Sequence, residues 1–484
     1  MNKLTNLRHL YANARTVSLI SGIGKLIYLQ ELKKFYIRKI KGYKISELRD
    51  MNEISGHLIL SDLQNVLSKE EAATSKLAKK SYLKNLELEF RYPQLISRWE
   101  LEVLEALEPS PSIEMLTIRG GRGDLLPDWM WSTRDGFSKL KCIKVSDFSL
   151  TTLPAFGELP FLEVLSFDHL NLIEKVGDEF YGNSDVAFPS LKELTFSSMS
   201  CWRVWLAARA EKKSYPHLKR IHLEYCDELM DMPINFSTSP IVELKLLRCP
   251  NIQNIATMLQ GMPSLTHLSI TEYINDLSIC CTALRFLQVM CLSVVKRLCF
   301  VGGLKSLVNL RKLVVKGIGE FLESIELEQE NGEISEENEE QCLQFLNYLH
   351  LGHRYDSTRN LFVVGKMPSL RTLFIGWSPA IEYTREEESW FGQLTSLEEL
   401  MFYNCRNLRR LPSTLPMLSS LKKLTMVSCP SISSLPGTSL PQSLVELCIS
   451  GCPELTHLCQ PNEGDDWLDP LNIMAKIDDY DLHH

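Results

Sequence analysis

No run of about 18 apolar residues occurs in the chain of 484 residues, so a membrane-crossing helix is not expected. The N-terminus, Met1 to Leu10, carries Lys3, Arg8 and His9 without an unbroken apolar stretch, which argues against a secretory leader. A broad basic excess is also missing: 52 Lys and Arg stand against 60 Asp and Glu, a net charge of −8. General nucleic-acid binding needs clustered positive charge and is therefore disfavoured. Motifs for metal or catalytic chemistry are absent too. The 11 His contain no H-E-x-x-H, His350 and His353 stand as an isolated pair, and three residues separate Cys448 from Cys452 where zinc motifs commonly have two. No G-x-S-x-G elbow is found. Gly22-Ile23-Gly24-Lys25-Leu26 is like the end of a phosphate-binding loop, but it lacks the glycine four residues further back, and Leu26 has no hydroxyl to hold magnesium. We expect no metal, no cofactor and no enzymatic activity in this chain.

What is present is ordinary globular composition, 44% hydrophobic and 23% charged, which excludes a fully disordered or fibrous chain. Fourteen cysteines could suggest disulfides, yet a chain this long can bury its own core without them. Cys226, Cys249, Cys405, Cys429 and Cys452 each follow an apolar residue by three positions within one recurring phrase. They are expected to be buried, reduced thiols acting as small hydrophobes in a cytosolic protein.

The recurring phrase is L-x-x-L-x-L. It starts at Leu83, Ile113, Leu140, Leu162, Leu191, Leu218, Ile241, Leu265, Leu284, Leu310, Leu346, Leu370, Leu397, Leu421 and Leu444, with looser copies around Leu4, Leu29 and Leu58. From 83 to 444 is 361 residues over 14 intervals, about 26 per repeat, inside the range of leucine-rich repeats. In x-L-x-L-x the leucines share one face of a short strand and the x residues share the other. One such strand cannot bury its apolar face alone, so each repeat needs its neighbour. The expected fold is an α/β solenoid, a leucine-rich repeat horseshoe with a parallel concave β-sheet and a mostly irregular convex side. It is expected to form a single domain over residues 1–484: irregular repeats over 1–82, regular repeats over 83–452, and a cap or tail over 453–484.

Two return segments read as helices. Ser68-Lys69-Glu70-Glu71 and Ser97-Arg98-Trp99-Glu100 fit the S-x-x-E capping box ahead of helix-forming residues. Later returns carry Pro, at Leu153-Pro154, Leu411-Pro412 and Leu435-Pro436, and should be turns or extended links. Residues 319–341 contain ten Glu and neither Lys nor Arg, which predicts a mobile acidic loop.

Function should lie on the x positions, which can vary without unfolding the core. In the middle strands these are polar: Glu193, Arg220, His222, Glu224, Glu243 and Lys245. Towards the C-terminus they become Phe286, Met290, Val314, Tyr348, Phe374, Met401, Tyr403 and Val427. An aromatic and Met stripe on a solvated sheet suits a protein partner, because such side chains bury large area at low entropy cost. The alternative is that the acidic loop or the C-terminal tail covers it within the same molecule.

Several phrases carry a resemblance: Leu63-Gln64-Asn65-Val66 with Lys80-Ser81-Tyr82-Leu83; Phe156-Gly157-Glu158-Leu159-Pro160; Val176-Gly177-Asp178-Glu179-Phe180-Tyr181-Gly182; Phe188-Pro189-Ser190-Leu191 leading to Trp202 and Trp205; and Gly464-Asp465-Asp466-Trp467. The chain resembles the leucine-rich repeat region of plant intracellular nucleotide-binding, leucine-rich repeat disease resistance proteins of the coiled-coil class. The resemblance implies a role in plant defence and innate immunity: sensing of a pathogen effector or a guarded host protein, and restraint of a nucleotide-binding domain. It also implies a cytoplasmic or nuclear location. ADP or ATP would belong to that domain, whose motifs this sequence does not contain. The rival reading among binding modules is a substrate adaptor of a ubiquitin ligase, which should bring an F-box-like N-terminal segment.

Overall fold

The computed structural model describes residues 4–91, 98–121, 123–130, 137, 139–209, 212–233, 236, 239–293, 295–301, 303–317, 320–323, 343–352, 367–434, 440–458 and 474–477. Two compact units divide the chain. The first holds Met1–Ile241 with Asn251–Asn254, the second Val242–Pro250 with Ile255–His484.

The first unit is built on β1 (Lys34–Tyr36), β2 (Gly56–Ser61), β3 (Leu83–Glu89), β4 (Met115–Arg119), β5 (Cys142–Ser146), β6 (Val164–Asp168), β7 (Glu193–Ser197) and β8 (Arg220–Glu224). Each strand pairs in parallel with the next. The second unit repeats the arrangement with β9 (Glu243–Leu247), β10 (His267–Thr271), β11 (Val289–Ser293), β12 (Lys312–Lys316), β13 (Tyr348–Gly352), β14 (Thr372–Gly376), β15 (Glu399–Tyr403), β16 (Lys423–Val427), β17 (Glu446–Ser450) and β18 (Met474–Ile477). It too is parallel throughout. Each unit is therefore a leucine-rich repeat coil. The leucines stack in register: Leu86, Leu116, Ile143, Leu165, Leu194 and Ile221 form one buried row. Burying one such side chain is worth about 1.5–3 kcal/mol.

One repeat differs from the sequence reading. Leu284-x-x-Leu287-x-Val289 and Leu287-x-x-Met290-x-Leu292 both satisfy the phrase, and the structure uses the second. Met290 pairs between Leu268 and Leu313 in the leucine row, so it is fully buried core and not a face residue. Phe286 falls in the turn before β11, 60% exposed.

A bend recurs after the strands. The residue that follows β2, β4 to β10, β12 and β14 to β17 has positive φ, as in Asp147, Ser198, Arg248, Trp377 and Asn404. Its N–H reaches the next repeat: Asp147 donates to the Asp168 carbonyl at 3.0 Å and Asn404 to that of Val427 at 2.8 Å. That bond offsets the roughly 1–2 kcal/mol cost of a left-handed residue.

The returns are more regular than expected in places. Ser68 caps a helix over Lys69–Ala73, accepting from the Glu71 amide at 3.3 Å, while Glu71 reaches back to the Leu67 amide at 2.8 Å. The second expected helix is present over Arg98–Ala106. Its Glu100 is buried and accepts from the Gly123 amide at 2.9 Å, joining two repeats. After Pro154 and Pro412 come single 3₁₀ turns, Phe156–Glu158 and Leu415–Met417; Leu435-Pro436 lies outside the described residues. In the second unit, Asp276–Cys280, Arg297–Val301 and Glu320–Glu323 form a three-stranded parallel sheet of their own. The first acidic residues of 319–341 are thus strand; residues 324–341 lie outside the described residues.

An aromatic core fills the first unit behind β6 to β8. Phe167 stacks on Phe196 at 5.4 Å, Phe180 meets Phe188 at 4.8 Å, Phe188 stacks on Tyr215 at 4.9 Å, and Trp202 meets Phe196 at 4.6 Å. The Tyr181 hydroxyl donates to the Leu206 carbonyl at 2.8 Å and accepts from Trp205 Nε1 at 3.1 Å. The phrases around Val176–Gly182 and Phe188–Leu191 therefore supply interior packing.

Lys80 is fully buried, with Nζ donating to the carbonyls of Leu48 at 2.7 Å and Met51 at 3.1 Å. Burial pushes its pKa down to about 8. Between that value and the ordinary lysine value the unfolded chain binds more protons than the folded one, so stability should rise with pH across this window. Relative to Lys80→Met, the wild type should gain about 2–3 kcal/mol between pH 8 and 10.5. Urea unfolding of both proteins across that range checks this; parallel pH curves would contradict it.

Candidate functional site

In the first unit the strand residues facing away from the leucine core form compensated charge. Lys34 Nζ lies 2.7 Å from Glu89 Oε2, Ser61 donates to the same oxygen at 2.8 Å, and Arg119 lies 3.4 Å from Glu87. Burial, then the hydrogen bond with Glu89, raises the Glu87 pKa. Burial also opposes the Glu89 carboxylate, but the hydrogen bonds from Lys34 and Ser61 outweigh it and hold its pKa below the usual value. Arg220 meets Glu193 at 2.9 Å. Glu193, Arg220, His222 and Glu224 lie at the x positions of β7 and β8. Glu243 and Lys245 lie at those of β9 in the second unit.

The second unit presents a different face. Register places Cys291, Val314, His350, Phe374, Met401, Thr425 and Cys448 in one row across β11 to β17. His350 stacks on Phe374, with centroids 5.3 Å apart and planes at 20°, and Tyr348 packs on Phe374 at 5.4 Å. Lys312 Nζ sits 4.6 Å from the centre of the Tyr348 ring, within cation–π range. Beside this row, Trp377 meets Tyr403 edge-on at 4.9 Å. Burial first, then the nearby Lys316 and Lys312, push the His350 pKa down to about 4, so its ring is neutral at pH 7 and acts as an aromatic surface.

Of the eight residues expected from the sequence to line a binding face, five meet here: Val314, Tyr348, Phe374, Met401 and Tyr403, all partly buried. Val427 shares the face beside Tyr403 but is only 2% exposed, so it offers a partner almost no area. Met290 is core and Phe286 belongs to a turn, as described above. His350 joins the face as well: its spacing to His353 is that of a metal pair, but its place between Leu349 and Leu351 sets it on the outward side of β13. His353 lies outside the described residues. Trp377 was missed because it follows the strand, at the left-handed bend.

Other features are spent on packing. The Gly24 amide donates to Glu47 Oε2 at 3.0 Å, and a Cβ at Gly24 would clash with the Glu47 backbone. A depression of about 620 Å³ lined by Asp178, Tyr181, Arg209 and Lys212 lies among the returns of the first unit. Its charges are already engaged, Arg209 with Asp178 at 3.1 Å and Lys212 with the Gly182 carbonyl. The twelve cysteines among the described residues are all free thiols, and those residues contain no cluster of three or more His, Cys, Asp or Glu able to hold a metal.

Residues 45–170 match the family described as R13L1/DRL21 LRRs. A disease resistance protein of Arabidopsis thaliana is 31% identical over 215 residues, covering 42% of this chain and 15% of that protein. The disease resistance RPP13-like protein 1 of Arabidopsis thaliana is 28% identical over 44% of this chain and 22% of that protein. Disease resistance protein RGA2 of Solanum bulbocastanum is 28% identical over 52% and 26%. The matched segments thus span about a quarter or less of these relatives. Among solved structures, a leucine-rich repeat protein of Leptospira interrogans is 17% identical with a TM-score of 0.47, covering 83% of this chain and 98% of that one. The plant peptide hormone receptor RGFR1 in complex with RGF2 is 15% identical with a TM-score of 0.42, covering 90% and 70%. The chain is built of leucine-rich repeats, residues 45–170 match R13L1/DRL21 LRRs, and over about half of its length it is similar to plant disease resistance proteins.

Proposed function

We propose that the chain is the recognition portion of a plant intracellular immune receptor, binding a pathogen effector or a guarded host protein through the strand face of the second unit. In the full receptor these repeats would also restrain a nucleotide-binding domain, which would hold the ADP or ATP. The observation that carries the reading is the joined surface of Tyr348, His350, Phe374, Met401 and Tyr403. Aromatic and Met side chains gathered on the open side of a sheet and only partly covered favour binding over catalysis. The names of the relatives support the immune setting. Among the described residues no helix is long and apolar enough to cross a membrane, which suits a cytoplasmic or nuclear place of action.

A two-hybrid screen against secreted pathogen proteins and host proteins should return a partner. Its affinity should fall at least about thirtyfold with Phe374→Ala, the loss of about 2 kcal/mol typical of a central aromatic anchor. A partner indifferent to Phe374→Ala and to Tyr403→Ala would sink the assignment of this face.

A further inference from the structure

We infer that this face takes a protein segment in which an apolar side chain is flanked by carboxylates, an inference that rests on the recognition reading above. The apolar half of the site is the Tyr348–Phe374–His350 stack. The charged half comes from what surrounds it. The outward positions of β10 to β14, three on each strand, include Lys312 and Lys316 and neither Asp nor Glu. The chain as a whole carries −8, so this stretch runs against the overall charge. Among the described residues neither lysine has a carboxylate partner: Lys312 lies over the Tyr348 ring, and no ion pair involves Lys316. In the first unit, by contrast, Lys34, Arg119 and Arg220 each meet a Glu.

Two glycines shape the space between. Gly352 and Gly376 stand side by side in the row that runs from Lys316 to Tyr403. A Cβ on Gly352 would come within 3.2 Å of Lys316 Cγ, so glycine there lets the lysine stem lie alongside the strand. Both glycines are themselves buried, with the Lys316 stem against Gly352 and Tyr403 against Gly376, so the face here offers the lysine ammonium beside the aromatic rings. A carboxylate set beside an anchored apolar residue would meet the lysines. A nucleic acid fits poorly, since it needs a longer basic track, and Glu399 on β15 ends the row that runs from Lys312 through Tyr348 and Thr372, so the acidic side of an incoming segment belongs at the lysine end of that row.

The test is to pan a random dodecapeptide library on phage against the full chain, then to measure synthetic versions of the selected peptides. Selected sequences should place Phe, Trp, Tyr, Leu or Met within two residues of Asp or Glu. Their affinity should fall about tenfold or more with Lys312→Glu/Lys316→Glu, and likewise with Phe374→Ala. Should the double charge reversal fail to fold, Lys316→Gln is the substitute and should still weaken binding. Peptides without acidic residues that bind at Phe374 would overturn the charge inference and leave the recognition reading standing. Acidic peptides indifferent to every variant, a single-stranded oligonucleotide that binds through Lys312 and Lys316 more tightly than any peptide, or no selected peptide at all would also overturn it.

Discussion

Leu373→Ala is expected to lower stability by about 2–5 kcal/mol, while Phe374→Ala, one residue later, lowers it by about 1 kcal/mol or less. The two side chains leave β14 on opposite faces. Leu373 is fully buried in the leucine row between Leu349 and Leu400; its truncation leaves a cavity that the neighbouring repeats cannot close. Phe374 is partly buried and touches the Tyr348 and His350 rings, so its loss removes ring contacts without opening the core. Thermal melting of both variants side by side decides it. Equal losses would place Phe374 in the core and remove the proposed recognition surface.

Trp202→Ala should be the most damaging single truncation in the first unit, costing about 3–5 kcal/mol. Its ring is fully buried, packs on Phe196 at 4.6 Å and on Trp205 at 5.3 Å, and donates from Nε1 to the Val204 carbonyl at 3.0 Å. Trp202→Phe should recover part of that, since it keeps ring volume and loses only the hydrogen bond and the second ring. Urea unfolding monitored by tryptophan fluorescence and by far-UV circular dichroism is the measurement. A loss under about 1 kcal/mol for the alanine variant would show that the aromatic cluster repacks freely, against the close packing of protein interiors.

The leucine phrase alone was enough to read the strands, because a period of two on a strand and a period near 26 residues between strands leave few arrangements. It failed where the phrase could be read twice, at Leu284 and Leu287, and only the neighbouring rows through Leu268 and Leu313 decide the register. Asp276–Cys280 and Arg297–Val301 alternate too, but each is short, and their pairing with each other and with Glu320–Glu323 depends on return lengths that local pattern does not fix. The helix over Arg385–Gly392 has a full capping box at Thr384 and Glu387, so its start is legible in the T-x-x-E of the sequence. The site was half legible. Periodicity pointed to Tyr348, Phe374, Met401 and Tyr403; it said nothing of Lys312 and Lys316, whose meaning lies in the carboxylates that are not beside them.

The bend that follows most of the strands has a consequence for how such a chain can diversify. Successive strands start as little as 22 residues apart, from 142 to 164, and as much as 36, from 312 to 348. The left-handed residue nevertheless stays one step beyond the strand wherever it occurs, like a hinge pin in pages of unequal width. Its backbone is fixed and its side chain is nearly free. Asp, His, Ser, Tyr, Arg, Glu, Trp and Asn all occupy it, along with Gly, while Val, Ile and Thr never do at the positive-φ positions. A branched β-carbon would crowd the carbonyl in that conformation. The repeats that bend this way therefore carry, at the rim of the strand, one position open to almost any polar or aromatic group, and Trp377 fills it with a ring that meets Tyr403 edge-on.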